Sequence, residues 1–270
     1  MKKNYKIIVA HPDDEIIFFS SILRQASKVI ICFSETLDKT VNNGRLKLLN
    51  KIPFKNFLFL KIKEPNIFNT TNWSFDKKRY GLKKPNKNIK KYKKYCVQLE
   101  YKLSNILKFG DTVYTHNPWG EYGHEEHILV FKTIIKLSKK LNLKIFVNGY
   151  VSNKSFNLMK LKQHWLSKEF KFKNIDQDLT KKISQIYKSN FCWTFNDDYK
   201  WPKKDIFYKI NKDFIRSKKK LNIPTTYTLP ILNFMTDDYK VTFFKNFLGK
   251  IFPYRIKKKL KLLLKKYNTY

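Results

Sequence analysis

Two stretches of the chain decide its fold, YKIIVAHPDDE at residues 5–15 and TVYTHNPWGEYGHEEH at residues 112–127. Each begins with a short apolar run, which is typical of a strand covered on both faces. Each then changes abruptly to histidines and carboxylates, where a helical pattern starts. The carboxyl ends of parallel strands meet at one edge of a sheet, where ligands of α/β proteins bind. We therefore expect these two polar segments to lie together, although more than 100 positions separate them.

The same alternation of apolar runs and helical stripes extends on both sides of these stretches. It predicts an α/β fold, with a mostly parallel doubly wound sheet, helices on both faces and a C-terminal extension. We interpret residues 1–240 as one domain, with a motif-bearing core at 5–150, and residues 241–270 as a basic tail. The further predicted strands are 28–34, 54–62, 144–151 and 158–173, and the predicted helices are 14–26, 89–108, 124–141 and 176–190.

The composition excludes several classes of protein. Of 270 residues, 42% are hydrophobic and 16% aromatic, which is too apolar for a disordered chain. No apolar run approaches the roughly 20 residues needed to span a bilayer. The apolar run near the N-terminus is too short for a secretory signal, and the three cysteines form no CxxC pair. We therefore expect a folded protein of the reducing cytoplasm.

The charge is strongly basic, with 57 Lys+Arg against 21 Asp+Glu and a formal net charge of +36. Only five of the basic residues are arginines, namely Arg24, Arg45, Arg79, Arg216 and Arg255. Arginine is the side chain that reads phosphate and guanine bidentately. The lysines therefore predict a solvated surface with a general attraction to anions, and no specific nucleic-acid site.

The histidines and carboxylates of the two polar segments suit a catalytic metal centre. Two imidazoles and one carboxylate can hold zinc with a fourth position open for water, whose pKa the metal lowers. A second carboxylate can accept the proton, and a further histidine can stabilise an oxyanion or protonate a leaving amine. The alternative is structural, because acids after Pro12 complement a helix start and helix-start histidines are often satisfied by hydrogen bonds. The residues alone do not separate Asp13 from Asp14.

HPDDE at residues 11–15, followed by YGHEEH at 122–127, resembles the zinc-dependent de-N-acetylases of the PIG-L (LmbE-like) family. The family pattern is HPDDE with a distal HxxH. The resemblance covers roughly residues 5–150 and implies a Rossmann-like fold and N-acetylated amino-sugar substrates. The ligands that it implies for Zn²⁺, or for Fe²⁺ or another divalent ion, are His11, Asp14 and His127.

The resemblance also implies roles for the residues beside the metal. Asp13 would be the general base, and His124 the acid or the oxyanion-stabilising group. Tyr122 would assist at the carbonyl oxygen. Glu126 stands where the family often has Asp, and would orient His124.

Four further residues have two interpretations each. Trp119 could stack on a sugar ring or pack over its own loop. Arg45 stands where many relatives place an arginine that reaches the substrate, but Leu48 replaces the glutamate of the usual Arg-x-x-Glu pair. His116 and His164 match no motif residue, so His116 is expected near the site or on the surface and His164 in a structural role.

We therefore predict a zinc-dependent hydrolase that removes acetyl from an N-acetylated amino sugar by attack of metal-activated water on the amide. The sugar would be a GlcNAc-type group in a glycan, a lipid-linked precursor or a small glycoside, as in polysaccharide biosynthesis. The alternative is a lysine-rich, non-catalytic binding protein for anionic membrane or nucleic acid on a hydrolase scaffold.

The tail at 241–270 has helical spacing from Ile256 onward. A basic face opposite an apolar stripe suits peripheral contact with anionic lipid. The same stripe could instead dock on the domain. The apolar residues that share this face are Ile256, Leu260, Leu263, Leu264 and Tyr267.

Overall fold

The computed structural model describes residues 4–65, 75–76, 81–82, 86–211 and 231–235. Its strands are β1 (Tyr5–Val9), β2 (Lys28–Ile31), β3 (Phe57–Phe59), β4 (Phe75–Asp76), β5 (Gly81–Leu82), β6 (Thr112–Thr115), β7 (Lys144–Asn148), β8 (Tyr150–Ser152), β9 (Leu166–Asn174), β10 (Lys204–Ile210) and β11 (Asn233–Met235). Its helices are α1 (Asp14–Phe18), α2 (Ser20–Leu23), α3 (Lys39–Lys51), α4 (Asn86–Ser104), α5 (Glu125–Leu141), α6 (Phe156–Lys162) and α7 (Gln177–Ser189).

A seven-stranded sheet in the order β3-β2-β1-β6-β7-β10-β9 organises these elements. The five strands from β3 to β7 are parallel, and β10 and β9 extend the sheet in antiparallel fashion. The chain leaves β1 toward β2 and leaves β6 toward β7, so the winding reverses between β1 and β6. The predicted α/β fold is confirmed, and the two polar segments follow the two strands at this reversal.

Both faces of the sheet are covered, as the apolar strands predict. Alternate residues of β1 point to opposite sides, so that Ile7 and Val9 join one apolar cluster and Ile8 joins the other. The first cluster contains side chains of α1, α2, α3 and α7, and the second contains those of α4 and α5. The loops after β1 and β6 are thus held between two packed layers.

Several predicted elements differ from the structure. The predicted helix 14–26 is two short helices that break at Phe19, whose φ of −137° and ψ of 16° are not helical. The predicted strand 158–173 is wrong over its first half, which forms α6 and a 3₁₀ turn at Gln163–Trp165. Leu158 and Met159 bury against the rest of the fold there, and a short apolar run does not by itself distinguish helix from strand.

Helix α3 was not expected from the sequence, because it contains Asn42-Asn43-Gly44, which favours a turn. The Asp38 side chain caps it by accepting hydrogen bonds from the backbone N–H groups of Thr40 and Val41. Packing of Leu48 into the core then outweighs the poor local propensity.

No helix within the described ranges is both long and apolar enough to cross a membrane. The predicted amphipathic helix of the tail lies outside these ranges, as does the domain boundary at 240. Both stay predictions.

Gly44 gives a test of this packing. A Cβ at this position would lie 2.0 Å from the backbone oxygen of Asn190, which follows α7. We expect Gly44→Ala to lower the free energy of unfolding by about 1–3 kcal/mol, because overpacking exceeds the gain in helix propensity. Urea unfolding followed by circular dichroism measures it. Asn43→Ala, at an exposed position of the same helix, is the control and should not destabilise the protein.

Candidate active site

The site forms where β1 and β6 end side by side. Their parallel register places Ile8 opposite Thr115, so the segments beginning at Ala10 and at His116 leave the sheet together. The backbone N–H of Ala10 donates a hydrogen bond of 2.8 Å to His116 Nε2, which joins the two strand ends. A pocket of ≈320 Å³ opens there, lined by His11, Asp13, Asp14, Thr36, Asp38, Val41, Arg45, Glu64, Tyr122, His124, Glu126, Thr194 and Phe195.

Asp14 is the centre around which the histidines gather. Its Oδ2 accepts a 2.7 Å hydrogen bond from the backbone N–H of His11 and lies 3.2 Å from His11 Nδ1. Its Oδ1 lies 3.3 Å from His127 Nε2. Burial acts to raise the pKa of Asp14, but the surrounding histidines hold it well below its usual range. Asp14 is therefore ionised and can only accept hydrogen bonds or bind a cation.

His127 directs its Nε2 toward Asp14. Its Nδ1 lies 2.7 Å from Glu121 Oε2, and this carboxylate is ionised because its histidine neighbours lower its pKa to about 2 against the effect of burial. An ionised carboxylate only accepts, so Nδ1 of His127 carries a proton. In the neutral ring Nε2 has the lone pair, and this atom is buried with no hydrogen-bond partner among the described residues. A lone pair that faces a carboxylate in a buried site fits a bound cation.

His11 completes the donor set. Its Nε2 lies 2.6 Å from Glu126 Oε2, so that this nitrogen is the donor and Nδ1 faces Asp14. Two groups of buried side chains have donor atoms within 4.8 Å of one another and could hold a metal ion, namely His11, His124 and His127, and Asp14, His116 and His127. The three ligands that the resemblance implies, His11, Asp14 and His127, all belong to these two groups.

His124 has the opposite proton arrangement. It is the N-cap residue of α5, and its Nδ1 accepts a 3.2 Å hydrogen bond from the backbone N–H of Glu126. A backbone N–H only donates, so the neutral ring carries its proton on Nε2. Burial and the neighbouring His127 and His11 hold the pKa of His124 well below its usual value. His124 is therefore a neutral N–H donor at the positive end of a helix dipole.

Asp13 is held in a strained conformation beside this cluster. Its φ of 101° and ψ of −24° lie in the left-handed region, which costs a residue with a side chain about 1–3 kcal/mol. Thr194 donates to Asp13 Oδ2 from both its backbone N–H and its hydroxyl, each at 2.8 Å. Burial and the charge of Asp14 raise the pKa of Asp13 to about 7, against the hydrogen bonds from Thr194. Asp13 is thus a carboxylate poised to take a proton near neutral pH.

The Glu15 side chain binds the backbone of Asp13. Its Oε2 accepts a 3.1 Å hydrogen bond from the N–H of Asp13, and its Oε1 accepts one of 2.5 Å from the hydroxyl of Tyr187 in α7. Tyr187 and Thr194 both follow residue 151, where the sequence pattern is irregular. Pairing of such distant residues leaves no local signal in the sequence.

Two predicted residues, Trp119 and Glu126, have different contacts from those expected. Trp119 is fully buried and its indole N–H donates to the Tyr150 carbonyl at 2.7 Å, so the expectation that it stacks on a sugar is corrected. The Glu126 carboxylate contacts His11, and its backbone N–H rather than its side chain gives His124 its orientation.

Arg45 lines the pocket and is almost fully buried. It pairs with a carboxylate, although Leu48 stands at the position of the usual glutamate. Its Nη1 lies 2.5 Å from Oε1 of Glu64, which comes from the segment after β3. An Arg–Glu pair is therefore present, with a glutamate from another part of the chain than the position that Leu48 occupies.

Two aromatic rings, those of Tyr122 and Phe195, line the pocket. Tyr122 lies in the pocket, with its ring centroid 5.6 Å from that of His124 and 5.8 Å from that of Phe195. Phe195 is thus the pocket aromatic that the sequence did not reveal. His164 lies in the 3₁₀ turn beside Trp165, away from the pocket lining.

Comparisons with known proteins show similarity at low sequence identity. No family model matches the chain. The uncharacterized protein L374 of Acanthamoeba polyphaga mimivirus is 29% identical over 166 residues, 58% of this chain and 65% of that protein. The chain therefore spans less than two thirds of the length of this relative.

Solved structures similar to the chain include three of deacetylases. They are a deacetylase–teicoplanin complex of teicoplanin biosynthesis (TM-score 0.46, 8% identity, 76% of this chain and 97% of that one), the zinc-inhibited form of the teicoplanin deacetylase Orf2 (0.49, 8%, 76% and 98%) and the A40926 pseudoaglycone deacetylase Dbv21 (0.47, 8%, 77% and 98%).

Because His124 and His127 hold their protons on different nitrogens, we expect their alanine variants to differ in metal content. We expect His127→Ala to lose a bound divalent ion, whereas His124→Ala keeps it, because only His127 offers a lone pair to the cluster. Metal per chain after dialysis, measured by plasma mass spectrometry, tests this. His164→Ala is the matched control outside the site. Equal loss of metal from the His124 and His127 variants would contradict the tautomers assigned above.

Proposed function

We propose that the chain is a metal-dependent hydrolase that removes the acetyl group from an N-acetylated amino sugar. The observation that carries the proposal is the difference in proton position between the rings of His127 and His124. The neutral ring of His127 offers a lone pair to a metal beside Asp14, and the ring of His124 offers an N–H in the pocket that also holds Asp14 and the buried carboxylate of Asp13. Amide hydrolysis needs these three functions together.

The residues of the site suit the individual proton movements. A divalent ion held by His11, Asp14 and His127 would polarise the amide carbonyl and lower the pKa of water. Asp13 accepts the proton of the attacking water on Oδ1, because the two hydrogen bonds from Thr194 occupy Oδ2. His124 donates its Nε2–H to the negative charge that develops on the carbonyl oxygen.

The C–N bond then breaks, and protonated Asp13 returns its proton to the departing amine. The neutral state of His124 supports the oxyanion-stabilising role over that of the acid, since an imidazole with a lowered pKa has no extra proton to give. The products are acetate and a free amino sugar.

The pocket walls support a sugar as the group that carries the amide. Sugar hydroxyls require fixed donors and acceptors, and ring faces favour an aromatic surface. The pocket supplies Thr36, Asp38 and the Arg45–Glu64 pair as polar groups, with Phe195 and Tyr122 as rings. The resemblance of HPDDE and YGHEEH to the PIG-L (LmbE-like) pattern supports the same substrate class.

This arrangement is not expected in a non-catalytic binding protein. A left-handed aspartate braced by Thr194 and Glu15 is a strained structure, and strain of this kind clusters at functional sites. Burial of several ionisable groups is also costly unless they are paired or bind a cation.

Asp13→Asn tests the base. We expect metal content to stay unchanged and kcat to fall by roughly 10²–10⁴-fold, because proton transfer is lost while the ligands remain. Release of acetate from a panel of N-acetylhexosamine derivatives is the measurement, and Asp178→Asn on the exposed start of α7 is the matched control. Near-normal turnover by metal-loaded Asp13→Asn would refute this mechanism.

Thr194 allows a finer test of how the base is held. Thr194→Val removes one hydrogen bond to the Asp13 carboxylate and should lower kcat by roughly 10- to 100-fold, the value of a hydrogen bond to a charged group. Thr194→Ser keeps the hydroxyl and should retain most activity. If valine and serine behave alike in the acetate assay, the hydroxyl does not position the base.

A further inference from the structure

Glu121 is a fully buried carboxylate that divides its two oxygens between two histidines. Its Oε1 lies 3.1 Å from His116 Nδ1, and its Oε2 lies 2.7 Å from His127 Nδ1. Oε1 also accepts hydrogen bonds from the backbone N–H of Asn117, at 3.2 Å, and from the side-chain amide of Asn148. Every one of these neighbours therefore acts as a donor to the carboxylate.

The backbone of Glu121 is held as firmly as its side chain. Its φ of 52° lies in the left-handed region. Its N–H donates to Asn117 Oδ1 at 2.9 Å, and its carbonyl accepts from the Ser155 hydroxyl. A strained residue that is tied down at N–H, carbonyl and carboxylate indicates a position required by the site.

Both histidines turn Nδ1 toward Glu121, but their Nε2 atoms have different surroundings. His116 Nε2 already accepts the backbone N–H of Ala10 at 2.8 Å. His127 Nε2 has no hydrogen-bond partner among the described residues and faces Asp14. The same carboxylate thus makes one ring a brace between strand ends and the other a ligand.

This difference determines how many protein ligands an ion would have. His116 Nε2 is only 3.5 Å from Asp14 Oδ2, and donor atoms of Asp14, His116 and His127 lie within 4.8 Å of one another. If His116 Nε2 were free to bind, an ion held by His11, Asp14 and His127 would gain a fourth protein ligand. Four protein ligands make a closed structural zinc site, whereas three leave the open position that catalysis needs.

We propose that Glu121 is a positioning residue that orients His127 toward the metal and holds His116 out of coordination, so that the centre keeps an open position. This role rests on the proposed function. The contact is a carboxylate–histidine–metal arrangement, in which the outer carboxylate sets the tautomer and orientation of the ligand. Glu121 touches neither the pocket nor the substrate, and it acts only through the two rings.

The first experiment measures the tautomers of the wild-type full chain. Long-range ¹H–¹⁵N spectra of the metal-free protein, labelled with ¹⁵N-histidine, should show protonated Nδ1 and unprotonated Nε2 for both His116 and His127. Loss of one signal set in His116→Gln and of the other in His127→Gln assigns the rings. A protonated Nε2 on His127 would overturn the proposal, and this measurement does not depend on the folding of any Glu121 variant.

The second experiment replaces one acceptor oxygen. In Glu121→Gln the amide NH₂ cannot accept an Nδ1–H, so one ring must change its tautomer or lose its partner. We expect the affinity for Zn²⁺ to fall about 10- to 100-fold, measured by competition with a chromophoric chelator. Glu100→Gln on α4, where Glu100 pairs with Lys136 near the surface, is the matched control and should bind as wild type.

A third variant tests the exclusion of His116. His116→Gln should still bind one Zn²⁺ per chain, since His116 is a brace and not a ligand. Wild-type affinity in Glu121→Gln, or loss of stoichiometric zinc in His116→Gln, would overturn the role of Glu121. Failure of the wild-type chain to bind Zn²⁺ at all would instead refute the metal centre of the proposed function, so the two failures are distinguishable.

Discussion

The site depends on the parallel pairing of β1 with β6. In this register Ile8 lies opposite Thr115, and the first residues after each strand leave the sheet at the same level. The hydrogen bond from Ala10 N–H to His116 Nε2 then locks the two strand ends together. Because the winding of the sheet reverses between these strands, their loops diverge to opposite faces and leave a crevice between them. Every group of the site lies in or beside that crevice.

Within the crevice, groups that can only donate or only accept decide where the protons lie. A backbone N–H faces Nδ1 of His124, and a carboxylate faces Nδ1 of His127. The neutral rings of His124, the N-cap residue of α5, and of His127, in the first turn of that helix, therefore carry their protons on different nitrogens. A substitution of the group that faces either Nδ1 can change these proton positions while both histidines stay in place.

The site also depends on segments far from the two motifs. Thr194, in the loop after α7, donates to the carboxylate of the strained Asp13, and Tyr187 of α7 donates to Glu15, which accepts the N–H of Asp13. Glu64, from the segment after β3, pairs with Arg45. The region after residue 151 is thus not an appendage of the motif-bearing core. It supplies the hydrogen bonds from Thr194 to Asp13 and, in Phe195, an aromatic ring of the pocket.

The sequence by itself determined the alternation of strands and helices, the parallel sheet and the meeting of the HPDDE and HEEH segments. These follow from local periodicity and from the rule that parallel strands end at a common edge. It did not separate Asp13 from Asp14 by residue type, place Trp119 in the core, or reveal α3, whose Asn-Asn-Gly run favours a turn.

Only the tertiary structure decided which carboxylate or backbone group faces each ring nitrogen, and which distant residue braces Asp13. The physical reason is that proton positions and pKa values depend on contacts of about 3 Å between residues remote in sequence, and such contacts leave no periodic signal along the chain.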